Sequence, residues 1–192
     1  MQFNIKKFLI IISFIAILAF QNNSYSNNKI QNIDDFGIIS LMYHRFEENK
    51  YPSTNIKIND FSKHLKILEN EGFLFVNPKN FKDELENNKS KRKILLTIDD
   101  GFSSFYENAW PILKEKKIPF ILFVNTREVG KFNYMSWDQI KELDKEEFVE
   151  IGNHSHSHEY LVDENPKIIK EDILTSIKIF QEKLGKNSDF FS

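Results

Sequence analysis

The sequence predicts an α/β fold built on parallel strands, and two observations carry the prediction. Apolar runs of strand length recur at 37–44, 73–76, 93–99, 119–124 and 148–154. The longer ones are near-continuous rather than alternating, as in strands covered on both faces. Between them lie segments whose apolar residues return every three or four positions, the spacing of a helix with one buried stripe. Parallel strands need crossover connections, and helices are the usual ones. Periodicity leaves two architectures open, an open doubly wound sheet and a barrel.

Taken in order, the first 26 residues read differently from the rest. Lys6 and Lys7 precede an uncharged stretch of 13 residues, 8–20, and the small residues Ser24 and Ser26 follow. That is the layout of a secretory signal peptide, with an uncleaved membrane anchor as the alternative. The apolar stretch falls short of the roughly 20 residues that a spanning helix needs. A short polar leader takes 27–36, and a single domain takes 37–192. Export would place that domain in the periplasm or outside the cell.

The domain opens with the strand at 37–44. A loop is expected at 52–59, with Asn59 or Asp60 capping a helix that runs to about Glu71. Phe61, Leu65 and Leu68 form its buried stripe and Gly72 stops it. A strand at 73–76 and a helix at 78–88 follow, the latter with Phe81 and Leu85 on one side. The run at 93–99 is a clear buried strand, and helical spacing resumes over 106–116. After the strand at 119–124, the segment Ser136 to Gln139 has capping-box spacing ahead of Ile140 and Leu143. The strand at 148–154 leads to a long helix after Pro166, with Ile169, Ile173, Ile177, Phe180 and Leu184 on one stripe and Gly185 as its stop. Residues 189–192 read as the start of another strand, so the domain is expected to continue past Ser192.

Composition narrows the function. Twenty-six Lys+Arg against 28 Asp+Glu give a net charge of −2, which excludes nucleic-acid binding through bulk positive charge. There is no cysteine, so disulfides, thiolate nucleophiles and Cys-ligated zinc are excluded together.

Two segments carry chemistry. Asp99 and Asp100 end the strand at 93–99, where ligands bind in α/β proteins. Adjacent carboxylates there are costly unless a metal or hydrogen-bond donors receive them. Gly101 lets the chain turn away sharply. An acidic cap on the next helix is the plainer alternative. The second segment, His154-Ser155-His156-Ser157-His158, holds three of the chain's five histidines at another strand exit. His154 and His158 can converge if the backbone turns between them, with His156 pointing elsewhere. One carboxylate and two imidazoles make a divalent-metal site that leaves a position for water, the arrangement of a catalytic site. The second carboxylate is then free to take a proton. Zinc is the first choice from ligand type, with cobalt, nickel and iron as alternatives. Tyr43 and His44, at the exit of the first strand, are candidates for the same pocket, and Asn153 for orienting the histidine loop. His64 is expected to be exposed on its helix, and Trp137 to pack.

These segments resemble the two signatures of the polysaccharide deacetylases of carbohydrate esterase family four. Thr97-Ile98-Asp99-Asp100-Gly101 differs from the first signature by Ile in place of Phe, and His154-Ser155-His156-Ser157-His158 fits the second. Leu41-Met42-Tyr43-His44-Arg45 is similar to the first strand of the poly-N-acetylglucosamine deacetylase branch. The resemblance implies Asp99 as catalytic base, Asp100, His154 and His158 as metal ligands, and Ser155 as a supporting residue. It implies a distorted, incomplete (β/α) barrel, usually of seven strands, with the last strands absent here. It implies removal of N-acetyl groups from an acetylated aminosugar polymer, with release of acetate and with envelope exopolysaccharide machinery as a candidate partner. The family's late histidine, a general acid, has no counterpart in the sequence, so this chain alone is expected to turn over little. A truncated or inactive carbohydrate-binding relative is the alternative. A phosphoesterase reading lacks a basic cluster or glycine-rich loop to grip phosphate.

Overall fold

A computed structural model describes residues 37–87 and 91–192, so the expected signal and leader at 1–36 lie outside the described residues. In chain order the elements are β1 (Ile38–Tyr43), β2 (Arg45–Phe46), β3 (Asn55–Ile56), α1 (Ile58–Asn70), β4 (Leu74–Phe75), α2 (Phe81–Asn87), β5 (Lys93–Ile98), α3 (Trp110–Lys116), β6 (Phe120–Val124), α4 (Trp137–Asp144), β7 (Val149–Asn153) and α5 (Pro166–Leu184). The main sheet has the order β1-β5-β6-β7, with β4 beside the first residues of β5, and every pairing in it is parallel. This is the predicted α/β class. Among the described residues the sheet is open, with β1 and β7 at its ends. No helix among them is long and apolar enough to cross a membrane.

The middle of the sheet holds the core. All residues of β5 and β6 are buried, and Leu96, Ile98, Phe120 and Leu122 join Phe61 and Leu65 of α1 and Phe180 of α5 in one apolar cluster. Strands β6 and β7 pair in register from Phe120↔Val149 to Val124↔Asn153, and β1 and β5 end together at Tyr43↔Ile98. The exits of β1, β5, β6 and β7 therefore lie at one end of the sheet. Gly152 permits the close approach of β7 to β6, because a Cβ there would collide with the Phe123 ring and Ile121.

Several expectations need correction. β1 is not covered on both faces: Ile39 and Met42 are exposed, on a strand that among the described residues lies at the edge of the sheet. The expected loop at 52–59 contains β3, which pairs in parallel with β2. Helix α1 starts at Ile58, so Asn59 and Asp60 lie inside it, and the Lys57 side chain at the cap position makes no capping bond to the helix. The cap comes from elsewhere: Glu47 Oε1 accepts from Ile58 N at 2.5 Å. Residues 105–109 form a π turn ahead of α3, with Trp110 N bonded to Phe105 O. Pro111 brings no N–H to that junction, which favours such an irregularity. The segment 189–192, by contrast, lies beside β7 as the expected start of a strand, through the parallel bridge Asn153↔Phe191.

Other signals hold. Gln139 N donates to Ser136 Oγ at 3.2 Å and Ser136 N to Gln139 Oε1 at 2.8 Å, a complete capping box. Gly185 ends α5 at φ 71° as expected, and Asn165 Oδ1, which the sequence analysis did not single out, caps its start through Lys167 N and Ile168 N.

Candidate metal centre

β5 delivers the two carboxylates. Asp99 N still donates to Tyr43 O at 2.8 Å, extending the β1–β5 ladder by one residue. Asp100 and Gly101 then adopt left-handed backbone, φ 74° and 70°, and the chain leaves the sheet. Glycine takes that conformation freely; an aspartate in it costs about 1–3 kcal/mol and needs its surroundings to hold it. Asn125, one residue past β6, points Nδ2 at Asp100 Oδ1 over 3.4 Å.

β7 delivers the histidines. Here too the backbone is left-handed at non-glycine positions, Ser155 at φ 63° and His158 at φ 58°. A polar frame holds this turn. Asn153 Oδ1 accepts from Ser155 N at 2.9 Å, and Ser155 Oγ accepts from His158 N at 3.0 Å. Thr126 N donates to Ser155 O at 3.2 Å. Asn153 is anchored in turn by its Nδ2, which donates to the buried Ser176 Oγ of α5 at 3.0 Å. Asp172, also on α5, accepts from His156 N at 2.7 Å and Ser157 N at 2.9 Å. Burial works against its charge, but the hydrogen bonds from Ser157 and His156 outweigh that and hold its carboxyl below the usual range.

The turn brings three ligand atoms together. His158 Nε2 lies 3.1 Å from His154 Nε2 and 3.1 Å from Asp100 Oδ1, and His154 Nε2 lies 3.5 Å from Asp100 Oδ1. Among the described residues these three form a group able to hold a metal ion. Their spacing, 3.1–3.5 Å, is within a few tenths of an ångström of what one requires. Ligand atoms at about 2.0–2.2 Å from an ion, on three corners of a tetrahedron, stand roughly 3.3–3.6 Å apart. The tautomer of His154 fits as well. Its Nδ1 is 2.7 Å from the carbonyl oxygen of Ser192, which only accepts, so Nδ1 carries the proton and Nε2 presents a lone pair.

Asp99 stays outside the triangle. Its Oδ2 is 3.9 Å from His154 Nε2, and its Oδ1 is buried with no hydrogen-bond partner among the described residues. Burial pushes its carboxyl up to about 6; the neighbouring Asp100 charge adds to the rise, while His44, Ser192 and His158 oppose it. A cavity of about 490 Å³ opens over this group, lined by His44, Asp99, His154, His158, Tyr160 and Phe191 among others.

The sequence-derived candidates thus separate. Asp99, Asp100, His154 and His158 converge, His44 lines their cavity, Gly101 turns the chain, and Asn153 and Ser155 brace the ligand loop. Tyr43 does not join them: its ring packs edge-on against Phe61 at 5.0 Å and its hydroxyl hydrogen-bonds His64 Nδ1 at 2.9 Å. Successive side chains of a strand point to opposite faces, so Tyr43 turns to the core where His44 turns to the cavity. Burial raises the Tyr43 hydroxyl to about 12. His156 points away, its Nδ1 bonded to Thr126 Oγ1 at 2.8 Å. Trp137 packs edge-on to Phe180 at 6.3 Å, as expected. Asn125, Thr126, Asp172 and Ser176 escaped the sequence reading. None belongs to a local motif, and each reaches the site only through the packing of β6 and α5 against the strand ends.

The chain is similar in sequence and fold to several known proteins. IcaB from Ammonifex degensii superposes with a TM-score of 0.72 at 29% identity, over 81% of this chain and 72% of that one. The poly-beta-1,6-N-acetyl-D-glucosamine N-deacetylase of Staphylococcus aureus (strain NCTC 8325 / PS 47) is 26% identical over 204 residues, covering 90% of this chain and 70% of that protein. YxkH of Bacillus subtilis (strain 168) is 25% identical over 154 residues; the match takes in 79% of this chain and 54% of YxkH, so the chain spans about half the length of that relative. Residues 86–192, more than half of the chain and inclusive of Asp99, Asp100, His154 and His158, match the family described as polysaccharide deacetylase. The chain belongs to the polysaccharide deacetylase family.

Proposed function

We propose that this protein is a metal-dependent hydrolase that removes N-acetyl groups from an aminosugar polymer, releasing acetate and leaving a free amine. The observation that carries the reading is the position of Asp99. A buried carboxylate oxygen without a partner stands beside a three-ligand cluster, at the floor of a cavity open to a substrate. A carboxyl raised toward neutrality by burial is poised to accept a proton near physiological pH.

Asp100, His154 and His158 would hold the ion, zinc by the mixture of one oxygen and two nitrogen ligands, with cobalt, nickel and iron as the other candidates. The ion supplies Lewis acidity toward the acetyl oxygen and the attacking water. Asp99 takes the proton of that water as it adds to the amide carbon. Asp100 is committed to the histidine cluster and leaves proton transfer to its neighbour. A general acid must then protonate the departing amine. His44 faces the same cavity and favours the charged form of Asp99. The coexistence of the unpaired Asp99 oxygen with the ligand triangle favours an enzyme over a binding-only relative, which would have no use for a base.

The relatives named above support a substrate of the poly-β-1,6-N-acetylglucosamine type. The charged and apolar pattern of 1–26 supports an extracytoplasmic location, periplasmic or secreted, where such polymers and their export machinery are found. Acetate release from acetylated glucosamine oligomers tests the reading, with the protein produced from its full reading frame and its bound metal quantified in parallel. Metal-dependent release supports it. A metal-loaded protein that releases no acetate from any oligomer length overturns it.

A further inference from the structure

We propose that Asp172 is a positioning residue for the metal centre: from α5 its carboxylate holds the ligand loop in the conformation that brings both imidazoles to Asp100. The inference rests on the metal reading above and goes beyond it, because none of the three ligand atoms belongs to Asp172.

The geometry is a two-point clamp. Each carboxylate oxygen takes one amide, Oδ1 from His156 N at 2.7 Å and Oδ2 from Ser157 N at 2.9 Å. Successive backbone amides that converge on one anion form a strong concave binding site, and bonds to a charged acceptor are the stronger kind. The two clamped residues lie between the two ligands. The clamp therefore sets how far His158 stands from His154, a separation of 3.1 Å between their Nε2 atoms.

The loop needs such a hold. Ser155 and His158 flank the clamped amides in left-handed backbone, at φ 63° and 58°, and non-glycine residues keep that conformation only when their surroundings over-determine it. The same helix also grips the start of the loop. Ser176, four residues after Asp172 and so on the same face, accepts from Asn153 Nδ2 at 3.0 Å, and Asn153 in turn accepts from Ser155 N. α5 thus fixes the loop at two points while β5 fixes Asp100. The triangle's geometry depends on how these elements are docked. Outer partners of this kind typically alter metal affinity by 10–100-fold when removed.

The test uses the purified full chain and its Asp172→Ala, Asp172→Asn and Asp100→Ala variants. Zinc dissociation constants are measured by competition with a chelator, the visible absorption of bound cobalt(II) is recorded, and thermal unfolding of the metal-free proteins serves as control. Asp172→Ala should weaken zinc about 10–100-fold and change the cobalt(II) spectrum. Asp172→Asn keeps one acceptor oxygen without the charge and should fall between wild type and Ala; if Asp172→Ala does not fold, Asp172→Asn decides by the same readouts. A residue that merely supports the fold would lower the metal-free unfolding temperature and leave zinc affinity and the cobalt(II) spectrum as in wild type, and that result overturns the proposal. If instead wild type and Asp100→Ala are alike in failing to bind zinc, the metal reading itself falls and this inference with it.

Discussion

Asp99 and Asp100 are joined by a peptide bond and face different partners. Asp100 Oδ1 lies 3.1 Å from His158 Nε2 and 3.5 Å from His154 Nε2, whereas Asp99 Oδ1 is buried with no hydrogen-bond partner among the described residues. The left-handed backbone at Asp100, φ 74°, produces the split. Asp99 still continues the strand and its carboxylate keeps the direction the strand gives it. Asp100 is rotated out of the strand toward the histidine loop. Two like charges so close in sequence can then serve as ligand and base without competing for one position.

The first prediction follows from that division. Asp99→Asn should bind metal as wild type does and lose acetate release by about 10²–10⁴-fold, the range for removal of a positioned base. Bound metal and turnover are measured on the same sample. Turnover near wild type would reject Asp99 as the base, and loss of metal would mean that the two aspartates exchange roles.

The second concerns the ligands. Asp100→Ala, His154→Ala and His158→Ala should each weaken zinc binding. Because the imidazoles must be deprotonated to bind, occupancy of the wild type should fall as the solution is acidified. Equilibrium dialysis against zinc checks both statements. Undiminished stoichiometric binding in all three variants would remove the site.

Much of this site was legible in the sequence, and the reasons are local. Asp99-Asp100-Gly101 and His154 to His158 are short segments at the ends of apolar runs, and strand ends are where α/β folds place ligands. The bracing residues on α5 were not legible, because Asp172 and Ser176 look like ordinary polar positions of an amphipathic helix until α5 is docked beneath the loop. Elements followed the same rule. The capping box of α4 and the Gly185 stop of α5 are local signals, and the structure has both. α1 was misread at its start because its cap, Glu47, lies 11 residues away in sequence. Tyr43 and His44 cannot share the pocket, because neighbouring strand residues face opposite sides, and the sequence does not say which of the two takes the cavity side.

The third prediction tests the packing that aligns the strand exits. Gly152 sits opposite Phe123 in the β6–β7 register, and a methyl group there would meet the Phe123 ring and Ile121. Gly152→Ala should destabilise the fold by about 1–3 kcal/mol, the usual cost of overpacking. It should also loosen metal binding, since β7 carries Asn153 and the ligand loop. Urea unfolding and zinc affinity, measured together, check it; an unchanged unfolding midpoint would show that β6 and β7 have slack.

The last prediction concerns the cap on α1. Glu47 accepts from Ile58 N at 2.5 Å and from Lys57 Nζ at 3.3 Å. The bond from the Ile58 amide holds its carboxyl below the ordinary 4.5, with the lysine contributing in the same direction. A carboxyl whose value is lowered by folding favours the folded state when ionised. Its contribution is therefore fully present above the unfolded value, and it is lost as pH falls through the lowered folded value. Wild type should accordingly lose thermal stability as pH drops from about 5 toward 3. Glu47→Gln keeps an acceptor oxygen but cannot ionise, so it should be less stable than wild type at pH 7 and should show a shallower decline over that window. Unfolding temperatures of both proteins from pH 7 to pH 3 check this. Parallel curves would mean that the amide of Ile58 is satisfied equally well by a neutral acceptor and that the Glu47 charge does not help to start the helix.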